Sequence, residues 1–176
     1  MDALDKYVKE LRLSKGEDVP GFSTNDGRTE AKVLFLHRDP GKSGASKTGV
    51  VDRDNPYTTA KNFREANEKA DLDRKLTIAW NAVPWPMDES TFARELEKVR
   101  SEGWLDKLLA LLQQVQVVVL LGAEAQRLTV DLYVKRPDLH VLHGPHPSWR
   151  GVRTLTRRRW LENTVRKARD LVVHQP

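Results

Sequence analysis

The chain predicts an α/β fold: a three-layer α/β/α sandwich around a four-stranded parallel sheet. Two patterns carry that expectation. Short apolar runs alternate with longer stretches whose apolar residues recur every three or four positions, which is how βαβ units read in sequence. One run, Val117-Val118-Val119-Leu120-Leu121, is apolar throughout and rich in β-branched residues, as a strand covered on both faces should be. A third observation bears on function as well as fold. Polar segments containing Gly or Pro follow several runs, so chemistry-bearing side chains fall at strand carboxyl ends, where open α/β sheets bind ligands.

In chain order, Ala3–Leu13 places Leu4, Tyr7, Val8 and Leu11 on one helical face. The stretch Glu17–Thr29, with Pro20, Gly21 and Gly27, reads as a loop leading into a first strand, Val33–His37. Gly41–Pro56 is a long polar loop with three glycines, and loops of that length are more often functional than incidental. Thr58–Ala70 is a helix whose opening hydroxyls suit capping. A second strand, Leu76–Trp80, comes next, and Trp104–Leu112 repeats the helical apolar spacing. After the third strand, Val117–Leu121, a helix over Ala123–Val134 follows Gly122, a fourth strand spans Leu139–Leu142, and a helix over Leu155–Val173 closes the chain. With 176 residues, 39% of them hydrophobic, no repeat and no linker, one domain over residues 1–176 is expected.

Composition narrows the function. The absence of cysteine removes disulfides, Cys-ligated zinc and iron–sulfur clusters and is compatible with a reducing compartment. No apolar run approaches the roughly 20 residues that cross a bilayer, and Met1–Lys6 does not begin a signal peptide. A soluble cytoplasmic monomer without membrane partners is expected. His37, His140 and His143 do not form a metal-ligand spacing, so no metal and no cofactor are expected and these histidines are assigned structural roles. The net charge of +5 is uneven: from Trp149 to Asp170 eight basic residues face two acidic ones, so this segment carries +6 and the rest of the chain −1. Such a block is either a solvated helix face or the approach of a polyanion.

Three segments carry the chemistry. Asp39 follows the first strand within Arg38-Asp39-Pro40-Gly41, where its carboxylate can orient water or stabilise positive charge on a sugar; an Asp-Pro-Gly triplet is also an ordinary turn. Gly41-Lys42-Ser43 resembles the end of a phosphate-binding loop, but the required first glycine falls at Leu36, inside the strand, so that reading fails. Asn81 ends the second strand before Ala82-Val83-Pro84-Trp85, and its amide can donate and accept at once, matching the edge of a uracil-like base, or can simply tie down its own loop. Trp80 and Trp85 are assigned to packing. His146 lies in His146-Pro147-Ser148, where a neutral imidazole can bond a departing oxyanion or merely cap a proline-rich turn. Trp149 and Arg150 follow at once, placed to wedge into a base stack, with Arg153 and Arg157 to Arg159 meeting phosphates.

Together these segments resemble the uracil-DNA glycosylase superfamily, in order and spacing, from about Val33 to Arg159: Arg38-Asp39-Pro40-Gly41, then Asp54-Asn55-Pro56 with Thr58-Thr59-Ala60-Lys61-Asn62-Phe63, then Trp80–Trp85, Gly122 and His146-Pro147-Ser148. The resemblance implies an α/β/α sandwich, with Asp39 as the water-activating acid, Asn81 as the base-reading amide and His146 as the group that stabilises the departing uracil. Pro40, Gly41 and Ser148 would border the substrate, and Trp149 and Arg150 would form the wedge loop. Relatives stack an aromatic on the base after the first motif. Gly49-Val50-Val51 offers none there, and Tyr57 is the substitute. The first motif matches no single branch, which leaves the base open.

The expectation is a monofunctional DNA glycosylase that flips uracil from DNA and cleaves its N-glycosidic bond, with no Schiff-base lysine and no strand nicking. The alternatives are a catalytically weak module that binds uracil-containing or abasic DNA, and a glycosylase for another deaminated base such as hypoxanthine. A nucleotide-binding NTPase is a more distant one.

Overall fold

The computed structural model describes residues 2–173, the side chains of Lys42 and Ser43 apart. Helix α1 (Ala3–Lys15) opens on a capping box between Asp2 and Asp5 and buries the four residues that its spacing marks. Next come β1 (Gly21–Phe22), β2 (Val33–His37), a wide turn over Gly41–Ala45, the single-turn α2 (Ser46–Thr48), β3 (Val50–Val51), α3 (Thr58–Lys69) and β4 (Thr77–Asn81). The chain continues through α4 (Phe92–Ser101), α5 (Trp104–Leu111), β5 (Val117–Leu121), α6 (Thr129–Lys135), β6 (His140–Gly144) and α7 (Leu155–Val173).

The main sheet is parallel and ordered β4-β2-β5-β6, so the α/β/α sandwich around four parallel strands is the observed fold. Side-chain alternation along the strands builds the two outer layers. Leu36 and Trp80 are register partners, and Trp80 meets Tyr7 of α1 edge-on while Tyr7 meets Trp104 of α5. The opposite face carries the register pairs Phe35 with Ala79 and His37 with Asn81, and there Phe35 packs against Phe63 of α3. Helix α7 lies beside α3 and covers β5 and β6.

Several local expectations change. Glu17–Thr29 is not wholly loop: it contains β1, which pairs in parallel with β3 from the long polar loop, and it ends inside a 3-10 turn over Arg28–Glu30. The small ribbon is anchored where Phe22 stacks on Trp80 with ring centres 3.7 Å apart. Helix α4 was not anticipated, because its apolar face is only Phe92, Leu96 and Val99 among charged neighbours. The expected helix over Ala123–Val134 divides into a 3-10 turn, Ala125–Leu128, and α6. The second and fourth strands end one and two residues later than expected, at Asn81 and Gly144. At the start of α3 the cap position is Tyr57, and no side chain caps it, so the Thr58 hydroxyl does not serve as foreseen.

Candidate active site at the carboxyl edge of the sheet

The carboxyl ends of β2 and β4, with the loop after β6, open into one cavity of about 470 Å³ lined by Asp39, Asn81 and His146. Three residues far apart in sequence meet there because every strand of the main sheet points the same way. Pro40, Gly41 and Tyr57 line it too, whereas Ser148 supports its wall.

Asp39 sits two residues beyond the end of β2. Its carboxylate accepts a hydrogen bond from Arg38 Nε and another from the Gly41 amide at 3.1 Å. Gly41 holds φ at +66°, a left-handed conformation that glycine adopts without strain. Arg38 also reaches Glu89 at 2.8 Å. The Asp39 side chain is only 5% exposed, yet each oxygen has further acceptor capacity beyond those bonds.

Asn81 is the last residue of β4, and its position is pinned by the backbone. The amides that follow continue the ladder, Ala82 donating to the His37 carbonyl at 2.7 Å and Val83 to that of Arg38 at 3.0 Å. The buried Asn81 Nδ2 has no hydrogen-bond partner among the described residues. An unsatisfied buried amide donor costs about 1–3 kcal/mol, and here it borders the cavity, where a ligand acceptor would satisfy it.

His146 reaches the site from the edge of the sheet. Its loop leans across the end of β5, where Gly122 holds φ at +94° and an added Cβ would lie 2.9 Å from His146 Cβ. On the other side Gly151 crowds the same residue: a Cβ there would lie 1.8 Å from the His146 carbonyl oxygen. The Ser148 amide donates to His146 Nδ1 at 3.1 Å, and Asn62 of α3 ties the loop by donating to the Pro147 carbonyl at 2.8 Å. A neutral ring whose Nδ1 accepts carries its proton on Nε2. Burial, then the Arg38 charge, lowers the His146 pKa to about 4, against an opposing pull from Asp39. The imidazole is therefore neutral near pH 7 and offers an Nε2–H donor.

Sequence reasoning missed several cavity residues, His37 and Phe63 among them. His37 was assigned a structural role, but it lines the cavity with its ring centre 5.9 Å from that of His146; burial, with His146 nearby, lowers its pKa to about 3. Phe63 supplies an aromatic wall, edge-on to His37 at 5.1 Å. Tyr57 also borders the space, but its hydroxyl is spent on the Gly44 carbonyl at 2.7 Å. The alternation of Val33, Phe35 and His37, and the helical face of Ala60, Phe63 and Ala66, were the available signals.

Beyond the cavity mouth Trp149 is 60% exposed, and Arg150, Arg153 and Arg157 are exposed on the same turn and the start of α7. Trp160 of α7 is a further exposed aromatic on this basic segment. Among the described residues no helix is long and apolar enough to cross a membrane.

A family model described as the uracil DNA glycosylase superfamily matches residues 24–169. No curated protein matches the chain.

Proposed function

The chain belongs to the uracil DNA glycosylase superfamily, and from that premise we propose that it is a monofunctional enzyme that flips uracil out of DNA and hydrolyses its N-glycosidic bond. The observation that carries this reading is the convergence of Asp39, the unpartnered Asn81 amide and neutral His146 on one cavity.

Uracil presents a carbonyl acceptor at O4 and a donor at N3. Asn81 Nδ2 meets the first and Asn81 Oδ1 the second. Cytosine reverses both, and would leave the buried amide unpaired. As the C1′–N1 bond breaks, its electron pair passes to the base and spreads onto O2, where the His146 Nε2–H donates. The oxygen of a water held by Asp39 bonds to C1′, its proton passes to the carboxylate or to solvent, and the base is protonated after leaving. Trp149 fills the gap in the stack and Arg150, Arg153 and Arg157 bind phosphates. One such cavity and one basic face are sufficient for a monomer.

The test is uracil release from single-stranded, U·A and U·G oligonucleotides, scored by alkaline cleavage. The parent should release uracil, and Asp39→Asn and His146→Ala should each lose on the order of 10²-fold in rate. No release with retained DNA binding would replace this reading by a binding module, or by a glycosylase for another base.

A further inference from the structure

The cavity wall contains a cation that none of these roles uses. Arg53 is buried and lines the cavity with Asn81, His146 and Phe63. Its guanidinium carbon lies 5.4 Å from the centre of the Phe63 ring. Its polar contacts are sparse. Nη2 donates to Thr77 Oγ1, while Nε lies 4.0 Å from Asp26 Oδ1 and has no hydrogen-bond partner among the described residues.

The neighbouring carboxylates are taken by another arginine. Asp26 Oδ1 accepts from Arg74 Nε at 2.8 Å, and Arg74 also binds Asp52 and Asp54. Asp52, which lines the cavity beside Arg53, is filled by Ser23, Arg74 and the Asp54 amide. Arg53 is thus left as a buried cation with an incomplete set of acceptors. Such a group is costly unless something completes its pairing, and a guanidinium does not shed its proton to escape that cost.

We propose that Arg53 is a base-recognition residue whose guanidinium binds the negative charge that collects on the departing base. The inference rests on the glycosylase reading above. In that reaction the electron pair of the broken C1′–N bond spreads over the carbonyl oxygens of the base. His146 and Asn81 each supply a neutral donor, whereas Arg53 supplies full positive charge in a poorly solvated wall, where it acts most strongly. The cavity then selects bases rich in carbonyl oxygens, pyrimidine diones above aminopyrimidines, and discriminates by the charge that the base carries as it leaves.

Two measurements on the full chain test this, with Arg53→Gln to remove the charge and Arg53→Lys to retain it. In single-turnover reactions Arg53→Gln should slow uracil release by on the order of 10²-fold. It should slow release of 5-fluorouracil, which leaves more readily as an anion, by distinctly less, and Arg53→Lys should restore part of the difference. Equal losses on both bases would mean a merely structural role and overturn the proposal. The second measurement is calorimetric binding of barbiturate, a pyrimidine trione that is an anion at neutral pH, against uracil. The parent should prefer the anion by about tenfold or more, as expected for a charge-assisted bond, and Arg53→Gln should erase that preference. A parent without the preference overturns the proposal. Should Arg53→Gln fail to fold, Arg53→Lys decides: a retained preference supports the role, and a lost one removes it. A parent that releases no uracil sinks the glycosylase reading, whereas the barbiturate preference still reports on Arg53.

Discussion

Gly151→Ala should damage catalysis without altering any group that touches the substrate. An added Cβ would lie 1.8 Å from the His146 carbonyl oxygen and 2.8 Å from its carbon. The closest approach that real Cβ atoms make is about 3.0 Å, so the His146 backbone must retreat by about 1.2 Å or the turn must open. Overpacking of this kind costs about 1–3 kcal/mol. The rate suffers more than stability does, because misplacing a group by about 1 Å can cost 10²-fold. The move would also stretch the bond from the Ser148 amide to Nδ1, now 3.1 Å, and with it the preference for a proton on Nε2. The matched control is Gly21→Ala, whose Cβ would meet only the Gly49 carbonyl oxygen at an ordinary 3.7 Å. Single-turnover uracil release and thermal melting of both variants, read beside the parent, make the assay. A Gly151→Ala protein with parental rate and parental melting temperature would refute the idea that this contact aims the imidazole.

Other outcomes follow from the same geometry. Asn81→Asp should weaken the preference for uracil over cytosine by about 1–3 kcal/mol, since the Nδ2 donor becomes a carboxylate oxygen; competition between the two bases in otherwise identical oligonucleotides reads this, and an unchanged ratio removes the assigned role. Acid should destabilise the fold through the two cavity histidines. The unfolded chain protonates them near 6.5, but burial holds His37 to about 3 and His146 to about 4. Their stabilising effect is full above pH 6.5 and drains as pH falls towards 4, by up to about 3 kcal/mol for His146 alone. Urea midpoints between pH 7 and 5 should therefore slope less in His146→Asn than in the parent, and identical slopes would contradict the shifted value. Trp149→Ala should leave stability within about 0.5 kcal/mol, as expected for an exposed side chain, yet slow uracil release from duplex more than from single-stranded DNA. Equal slowing on both would deny Trp149 a wedge role.

Much of the site was legible because its residues follow apolar runs that can only be buried strands. Val117–Leu121 announces a central strand by being apolar at every position, and Asp39, Asn81 and His146 follow other runs at the same edge. The parts that escaped depend on tertiary partners. Arg53 sits in Asp52-Arg53-Asp54 within the long polar loop, where no apolar spacing marks it for burial. It is buried only because Thr77 and Phe63 receive it from other segments. His37 ends an apolar strand, and which face it takes is decided by register with Asn81. The two-residue strands β1 and β3 are too short for alternation to show, so their pairing rests on packing such as that of Phe22 against Trp80.

The sheet order gives the cavity a place in the life of the chain. Asn81 belongs to β4 at one border of the sheet and His146 follows β6 at the other, with β2 and β5 between them. A nascent polypeptide emerging in order lays down β2 and β4 early, but β5 must insert beside β2 before β6 has anything to pair with. The imidazole is therefore delivered last. A half-made or truncated molecule already holds the aspartate and the asparagine, but it lacks the group assigned to the charge of the leaving base, and it lacks the arginine-rich C-terminal segment as well. Because β6 pairs only with β5, uracil release regained during refolding would report that this last strand has docked and brought His146 to the cavity.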